Sequence, residues 1–467
     1  MLTTFSVSNF LSFDTKQELF LFAGKTRKHP GRIYTNRRLR LVKCQTLFGA
    51  NGSGKSNLIK ALLFFQTMVI KGVPRGFSNS YCRLSEENRS TPSEFELEMI
   101  CEDKRIRFGF TAMLHTGSIL TEWLYEITPS GLHKYMYQRD NSAESFIIGD
   151  YFKLKSSIAK IQSYGEDSAN DPDNLFLTII NQNKQKMYTE YPELSILRSV
   201  FNLIDSLVIS FPGHMLKGYS YSPKSDLEEI AEILNALGTG ISHIKYVDVS
   251  PEIVKTKLPE EIYNDIIVDL EKENAKNKKE GKTASPSILA KAFKQFYIFV
   301  MNPDNTLTIK TIEFEHEAND VFFNLHEESD GTARLLDLIE ILLKVSNDSI
   351  YIIDEIDRCL HPAMTTKIIS LFLEMAERRN TQLIVTTHES RLLKEDILRS
   401  DEISFMLKTP TGSTIVKPLE QYKLRSDKSY YEALFDGKNE VLPRFKEETL
   451  KQITRRTLAL TNQETAK

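Results

Sequence analysis

Cysteine and tryptophan are scarce: four cysteines (Cys44, Cys82, Cys101, Cys359) and one tryptophan in 467 residues. The cysteines are scattered and form no C-x-x-C pair. That argues against a disulfide scaffold and a zinc site and fits reduced thiols. No apolar run approaches the ~18–20 residues of a membrane helix. The opening MLTTFSVSNFLSF has no basic region, apolar stretch or small-residue cleavage site, so no signal peptide is expected and the expected location is cytoplasmic. An excess of either charge is also missing. Lys plus Arg number 60 against 63 for Asp plus Glu, which excludes a globally basic protein that coats nucleic acid but leaves room for a local basic patch. There is no internal repeat. With 41% hydrophobic residues, the chain can build a core, and its length suggests two to four domains.

Along the chain, Thr3 to Phe10 alternates as a strand, and Glu18 to Phe22 is a second apolar run. The stretch Lys25 to Lys43 carries Lys25, Arg27, Lys28, Arg32, Arg37, Arg38, Arg40 and Lys43 without one acidic residue. Residues 93–130 predict antiparallel strands, with Phe95, Leu97 and Met99 alternating with glutamates. Helical spacing follows over Leu194 to Leu207 and Leu227 to Leu237, and Ile241 to Val249 is a strand candidate. Residues 253–300 read as helical, with a solvated charge run at 271–282. After strands over Thr306 to Leu325, the pattern alternates: helix 332–345, strand 349–353, helix 363–378, strand 382–386. That alternation is the signature of an α/β fold with a parallel sheet.

Three segments carry chemistry. Gly49-Ala-Asn51-Gly52-Ser-Gly54-Lys55-Ser56 fits G-x-x-x-x-G-K-[ST] between a short strand and a helix that begins near Gly54, and Asn57 next to it joins the candidate nucleotide-binding residues. Glycines let backbone N–H groups turn inward around a phosphate, Lys55 reaches the β- and γ-phosphates, and the Ser56 hydroxyl ligates Mg²⁺. Far downstream, Ser349-Ile-Tyr-Ile-Ile-Asp354-Glu355 is an apolar strand ending in two carboxylates. Asp354 suits the Mg²⁺ shell and Glu355 suits polarising the attacking water. Thr381 to Thr387 is another buried strand, ending in His388, which can donate to the γ-phosphate.

In this order, with Ser329-Asp-Gly331-Thr332 opening a helix and Asp357-Arg-Cys-Leu-His361-Pro362 after the carboxylates, these segments resemble an ABC-type ATPase head of the SMC/RecF/OLD branch. The opening Ser-Asn-Phe-Leu-Ser-Phe (8–13) resembles that branch too. The resemblance implies a P-loop NTPase with N-terminal antiparallel strands and a helical insertion. It divides the chain into a first ATPase lobe (1–148), a mostly helical insertion (149–304), a second lobe (305–420) and a polar tail (421–467). Ser329 and Gly331 become the signature motif, which meets the γ-phosphate of ATP held by a second subunit. Residues 357–362 become the loop that crosses the dimer interface, with His361 either part of that crossing or structural. The signature reads S-D-G-T instead of S-G-G-Q. No glutamine lies between Gln66 and Gln138, so the Q-loop is not placed. The spacing from Lys55 to Ser329 has no room for the very long coiled coil of SMC proteins.

OLD-family nucleases continue into a TOPRIM domain. Here the carboxylates after His388, Asp401-Glu402 and Asp436 to Glu440, are too few and too scattered for a two-metal nuclease. The resemblance therefore implies a stand-alone ATPase of bacterial antiphage defence, like the ATPase subunits of Septu and PARIS systems. Such a subunit would bind ATP and Mg²⁺, form at least a homodimer, and control a separate effector such as a nuclease. A RecF-like DNA repair ATPase and a slow-ATPase assembly scaffold are the alternatives. DNA or RNA could meet Lys25–Lys43 through counterion release, against the plainer reading of a solvated β-hairpin. No membrane partner is expected.

Overall fold

The computed structural model describes residues 1–74, 76–182, 184–212, 227–292, 295–317, 320–343, 349–394, 397–422, 430–431 and 448–454. Its centre is a six-stranded sheet in the order Val208–Ser210, Ile350–Ile353, Gln382–Thr386, Cys44–Phe48, Ile403–Lys408, Thr414–Pro418. The first five run parallel and the last is antiparallel. Three of these strands, Cys44–Phe48, Ile350–Ile353 and Gln382–Thr386, are buried at every position. Their residues alternate between two cores, as the twofold period of a strand requires. Ile350, Ile352 and Ile384 face one core, while Tyr351, Ile353, Leu383 and Val385 face the other.

The first core surrounds helix Lys55–Lys71, which is clasped between this sheet and a seven-stranded antiparallel one. The second sheet runs Ser145–Ile148, His133–Asp140, Ser118–Ile127, Lys104–Met113, Ser93–Cys101, Leu2–Ser8, Gln17–Phe20. Phenylalanines fill the seam: Phe65 lies 6.0 Å from Phe5 and 5.8 Å from Phe108, and Phe64 lies 4.9 Å from Phe95. Being covered on both sides explains why this helix is apolar nearly all round. Helices Lys155–Ser168, Phe176–Asn181 and Ser195–Asp205 join the same core. Gln66 closes the end of the last one, donating to the carbonyls of Ile204 (2.9 Å) and Leu207 (2.8 Å). It is a helix cap there.

Helices Asp330–Leu338 and Pro362–Ala376 cover the opposite face of the parallel sheet. A third sheet pairs Ile241–Asp248, Leu307–His316, Gln295–Met301 and Ser287–Ala292, all antiparallel, with Phe322–Asn324 added to Leu307–His316. Helices Pro251–Lys257 and Glu260–Lys279 pack on it. The helical reading of 253–300 is thus corrected at its C-terminal part: Ser287–Ala292 and Gln295–Met301 are strands. Gln295–Met301 is buried throughout, and a short continuous apolar run is ambiguous between helix and strand by periodicity alone. The insertion is also less helical than expected, because Val208–Ser210 forms the edge of the parallel sheet. The boundary expected at 304/305 falls between two strands paired in one sheet. Most of the tail at 421–467 lies outside the described residues.

The basic stretch forms the hairpin Ile33–Asn36/Leu39–Val42. Two of its eight cations are structural. Buried Lys43 donates to Ala376 O at the C-terminal end of a helix (2.7 Å), and Arg32 donates to Ile397 O (2.6 Å). The preceding loop is held by fully buried Arg399, which also grips Asp401 (2.8 and 2.6 Å). Asp401 is therefore a structural carboxylate, and Asp436 to Glu440 lie outside the described residues.

Beside Asp401, Glu402 is wholly buried, and burial pushes its carboxyl up to about 8. The folded chain holds a proton there that the unfolded chain has released above pH ~4.5. Stability therefore falls as pH rises from about 4.5 to about 8, by up to ~1.4 kcal/mol per pH unit. We expect Glu402→Gln to flatten this fall; thermal unfolding from pH 5 to 9 checks it, and parallel curves for the two proteins would refute it.

Candidate functional site

Parallel order brings the chemistry together. Cys44–Phe48 and Ile350–Ile353 flank Gln382–Thr386 in the same sense, so the loops after Phe48, Ile353 and Thr386 leave the same edge side by side. The loop after Phe48 curls through two left-handed glycines, Gly52 (φ 75°) and Gly54 (φ 104°), a conformation that L side chains avoid. A Cβ on Gly54 would also sit 2.2 Å from the Thr414 hydroxyl. Asn51 and Gly52 are exposed on the outer curve, and Gly49 and Ser56 are half-buried. Lys55 folds back under the loop, donating to Gly49 O (2.7 Å) and Ala50 O (3.2 Å). Burial lowers its pKa, while Asp354, Asp357 and Glu355 pull it up, which places three carboxylates within its electrostatic reach.

Asp354 is buried and accepts from the Thr386 hydroxyl (2.6 Å), and that hydroxyl accepts from the Glu355 N–H (2.7 Å). Glu355 is half-buried with φ 45°, a left-handed backbone that costs a non-glycine residue on the order of 1 kcal/mol. His388 is exposed, and its backbone N–H donates to Asp357 (3.2 and 3.3 Å). Partial burial, with Lys55 nearby, lowers its imidazole pKa below the usual value, against the opposing pull of Asp357, Glu355 and Asp354. Lys55, Asp354, Glu355 and His388 therefore share one site.

Asn57 does not join them. Its side chain donates to the Ser12 hydroxyl (2.8 Å), and Thr414 donates to the same hydroxyl (2.8 Å) and to Ser53 O (2.9 Å). Asn57 thus braces the loop from behind. Ser329 and Gly331 lie at the exposed start of helix Asp330–Leu338. Ser329 caps it, accepting from Thr332 N (3.0 Å), and a Cβ on Gly331 would meet Cys359 O at 3.0 Å. His361 caps helix Pro362–Ala376 through Ala363 N (3.2 Å), which is the structural reading of that histidine.

Four supporting residues escaped the sequence reading. Ser12 sits inside the quoted Ser-Asn-Phe-Leu-Ser-Phe, and Thr386 adjoins Thr387-His388, so both had a signal. Thr414 had none. Arg334, one turn into the helix that Ser329 caps, donates to Asp354 O (3.3 Å) and Glu355 O (3.1 Å). The site fits a nucleotide phosphate with a divalent cation. It has a glycine cradle, a buried lysine beneath it, a buried carboxylate opposite, and the buried Ser53 hydroxyl without a hydrogen-bond partner among the described residues.

None of the curated proteins matches this chain. Among solved structures, an SMC head bound to the winged-helix domain of ScpA is similar at 16% identity, covering 90% of this chain and 98% of that one with a TM-score of 0.38. The SMC head from Thermotoga maritima is similar at 14% identity, covering 89% and 98%, with a TM-score of 0.32. A Pyrococcus furiosus Smc head with an extended coiled coil, bound to the C-terminal domain of ScpA, is 14% identical over 90% and 97%, with a TM-score of 0.35. A family model matches residues 46–394, from the strand before the glycine loop to past His388, and the chain belongs to that family, described as "AAA domain, putative AbiEii toxin, Type IV TA system".

Proposed function

We propose that this chain binds and hydrolyses ATP with Mg²⁺, and that two copies closing on two nucleotides act as a switch for a separate effector. The observation that carries the reading is the convergence of Lys55, Asp354, Glu355 and His388 at adjacent ends of parallel strands. Lys55 would neutralise the β- and γ-phosphates, with the backbone of 49–56 cradling them. Ser56 and Asp354 would hold Mg²⁺, which supplies charge compensation at the phosphate oxygens. Glu355 would orient the attacking water. His388, neutral at pH 7, would offer one N–H to the γ-phosphate without adding a full charge.

Among the described residues no group of three or more His, Cys, Asp or Glu could hold a metal alone. The cation shell would therefore be completed by phosphate oxygens and water. No described helix is long and apolar enough to cross a membrane. Exposed Ser329 and half-buried Gly331, at a helix start, would meet the nucleotide of a second copy. The family description, "putative AbiEii toxin, Type IV TA system", is compatible with an effector-coupled role such as antiphage defence. A DNA-regulated repair ATPase is the second reading. It is favoured by the exposed cations Lys25, Arg27, Lys28, Arg37, Arg38 and Arg40 on the loop and hairpin, and stimulation of turnover by DNA alone would support it.

Three variants test the reading. Lys55→Ala should abolish binding of a fluorescent ATP analogue. Glu355→Gln should bind ATP like the wild type and hydrolyse it roughly 100-fold more slowly or worse; normal turnover would remove Glu355 from its role. In the Glu355→Gln background, Ser329→Arg should leave ATP binding intact and abolish the ATP-dependent dimer seen by light scattering. A dimer that persists would refute the signature assignment.

A further inference from the structure

Arg334 is 4% exposed, yet it uses only one nitrogen in hydrogen bonding: Nη2 donates to Asp354 O and Glu355 O, while Nε and Nη1 have no partner among the described residues. A buried guanidinium with unused donors is costly unless the fold needs it there. What it holds explains the need. The Glu355 backbone is left-handed, and it is gripped from two sides, by Thr386 on its N–H and by Arg334 on its carbonyl. Neither grip alone fixes both flanking peptide planes.

One helical turn beyond Arg334 stands Asp337, 4% exposed and the strongest attractive charge that Arg334 feels. Asp337 does not spend that charge on Arg334 alone. It accepts from Lys291 Nζ at 3.0 and 3.2 Å. Lys291 lies on strand Ser287–Ala292, the edge of the third sheet. A line of polar contacts and charge thus runs from that edge strand through Lys291, Asp337 and Arg334 to the peptide that carries Glu355.

We infer that Arg334 is a positioning residue for hydrolysis, and that the Lys291–Asp337 pair is the handle through which the third sheet sets it. With Lys291 in place, the Asp337 charge is shared and Arg334 stays on the two carbonyls. When a partner draws the edge strand away, Asp337 is left, among the described residues, with Arg334 as its compensating cation. The guanidinium then turns its unused donors toward Asp337 and releases the Glu355 peptide. Turnover falls while the phosphate cradle, built by Gly49 to Ser56, is untouched. This deepens the ATPase reading and rests on it.

The test uses the full chain and measures kcat, KM and the dissociation constant of a fluorescent ATP analogue. Lys291 is partly exposed, so Lys291→Met should fold, and thermal unfolding checks that. We expect Lys291→Met to lower kcat about tenfold with ATP affinity within about twofold, a coupling of ordinary size. Adding Asp337→Asn to Lys291→Met should recover most of that kcat, because no charge then draws Arg334 off the two carbonyls. Lys291→Arg should restore kcat, which a merely structural role would not require. Unchanged kcat in a folded Lys291→Met protein, with wild-type turnover normal, would overturn this inference alone. A double variant as slow as Lys291→Met, or equal losses of kcat and affinity, would overturn it too. A variant that fails to fold passes the decision to Lys291→Arg and Arg334→Lys: kcat near wild type for the first and at least tenfold lower for the second is expected, and the reverse refutes the handle. Absence of ATP binding and turnover in the wild type would instead sink the underlying reading.

Discussion

The side-by-side parallel pairing of Gln382–Thr386 with Ile350–Ile353 and Cys44–Phe48 is the constraint from which the nucleotide site follows. It stacks three strand ends, and it sets the Thr386 hydroxyl between the Asp354 carboxylate and the Glu355 N–H. That hydroxyl uses its donor and an acceptor at once, in a place no water reaches. Burial on both faces makes the register strict, since a one-residue slip would send Ile353 and Val385 into the wrong core and carry Asp354 away from the lysine. The antiparallel sheet contributes differently. It closes the second side of helix Lys55–Lys71 with its own phenylalanines, Phe5, Phe95 and Phe108, packed on Phe64 and Phe65.

Charge inside the molecule follows one rule: each buried ion answers to a backbone carbonyl or to an opposite charge. Lys43 serves a helix end, Arg399 pairs with Asp401 while holding a loop, and Arg139 faces Glu122 with both side chains wholly buried. Arg334 answers to two carbonyls but leaves two nitrogens without a partner among the described residues, where Arg139 leaves one. The peptide it holds is the left-handed one of Glu355, the carboxylate proposed for hydrolysis. Places where polar satisfaction is incomplete are where a fold keeps freedom to change state.

Much of the site could be read before any coordinates. The glycine loop with its lysine and serine, the paired carboxylates and the terminal histidine each follow an apolar run whose purpose is burial, so motif and element support one another. The strand at 382–386 and the helix after Pro362 emerge from the same logic. Two things were hidden. Gln295–Met301 is apolar at nearly every position, and only its partners decide that it is a strand. Asn57 looked like part of the phosphate motif because it follows Ser56, but its side chain is taken by Ser12 across the fold. Ser12, Thr414 and Arg334 act through contacts between residues far apart in the chain, which leave no mark on local periodicity.

Thr414 has a consequence for how the molecule is made. The brace behind Gly54 comes from the last strand of a sheet whose other members begin at Cys44. During synthesis the glycine loop leaves the ribosome early, yet its support is supplied some 360 residues later. A nascent or truncated chain ending before Thr414 carries the whole glycine loop and lacks the hydroxyl that lies against Gly54 and Ser53. A nucleotide site built on this loop would therefore be braced only once Thr414 has been made.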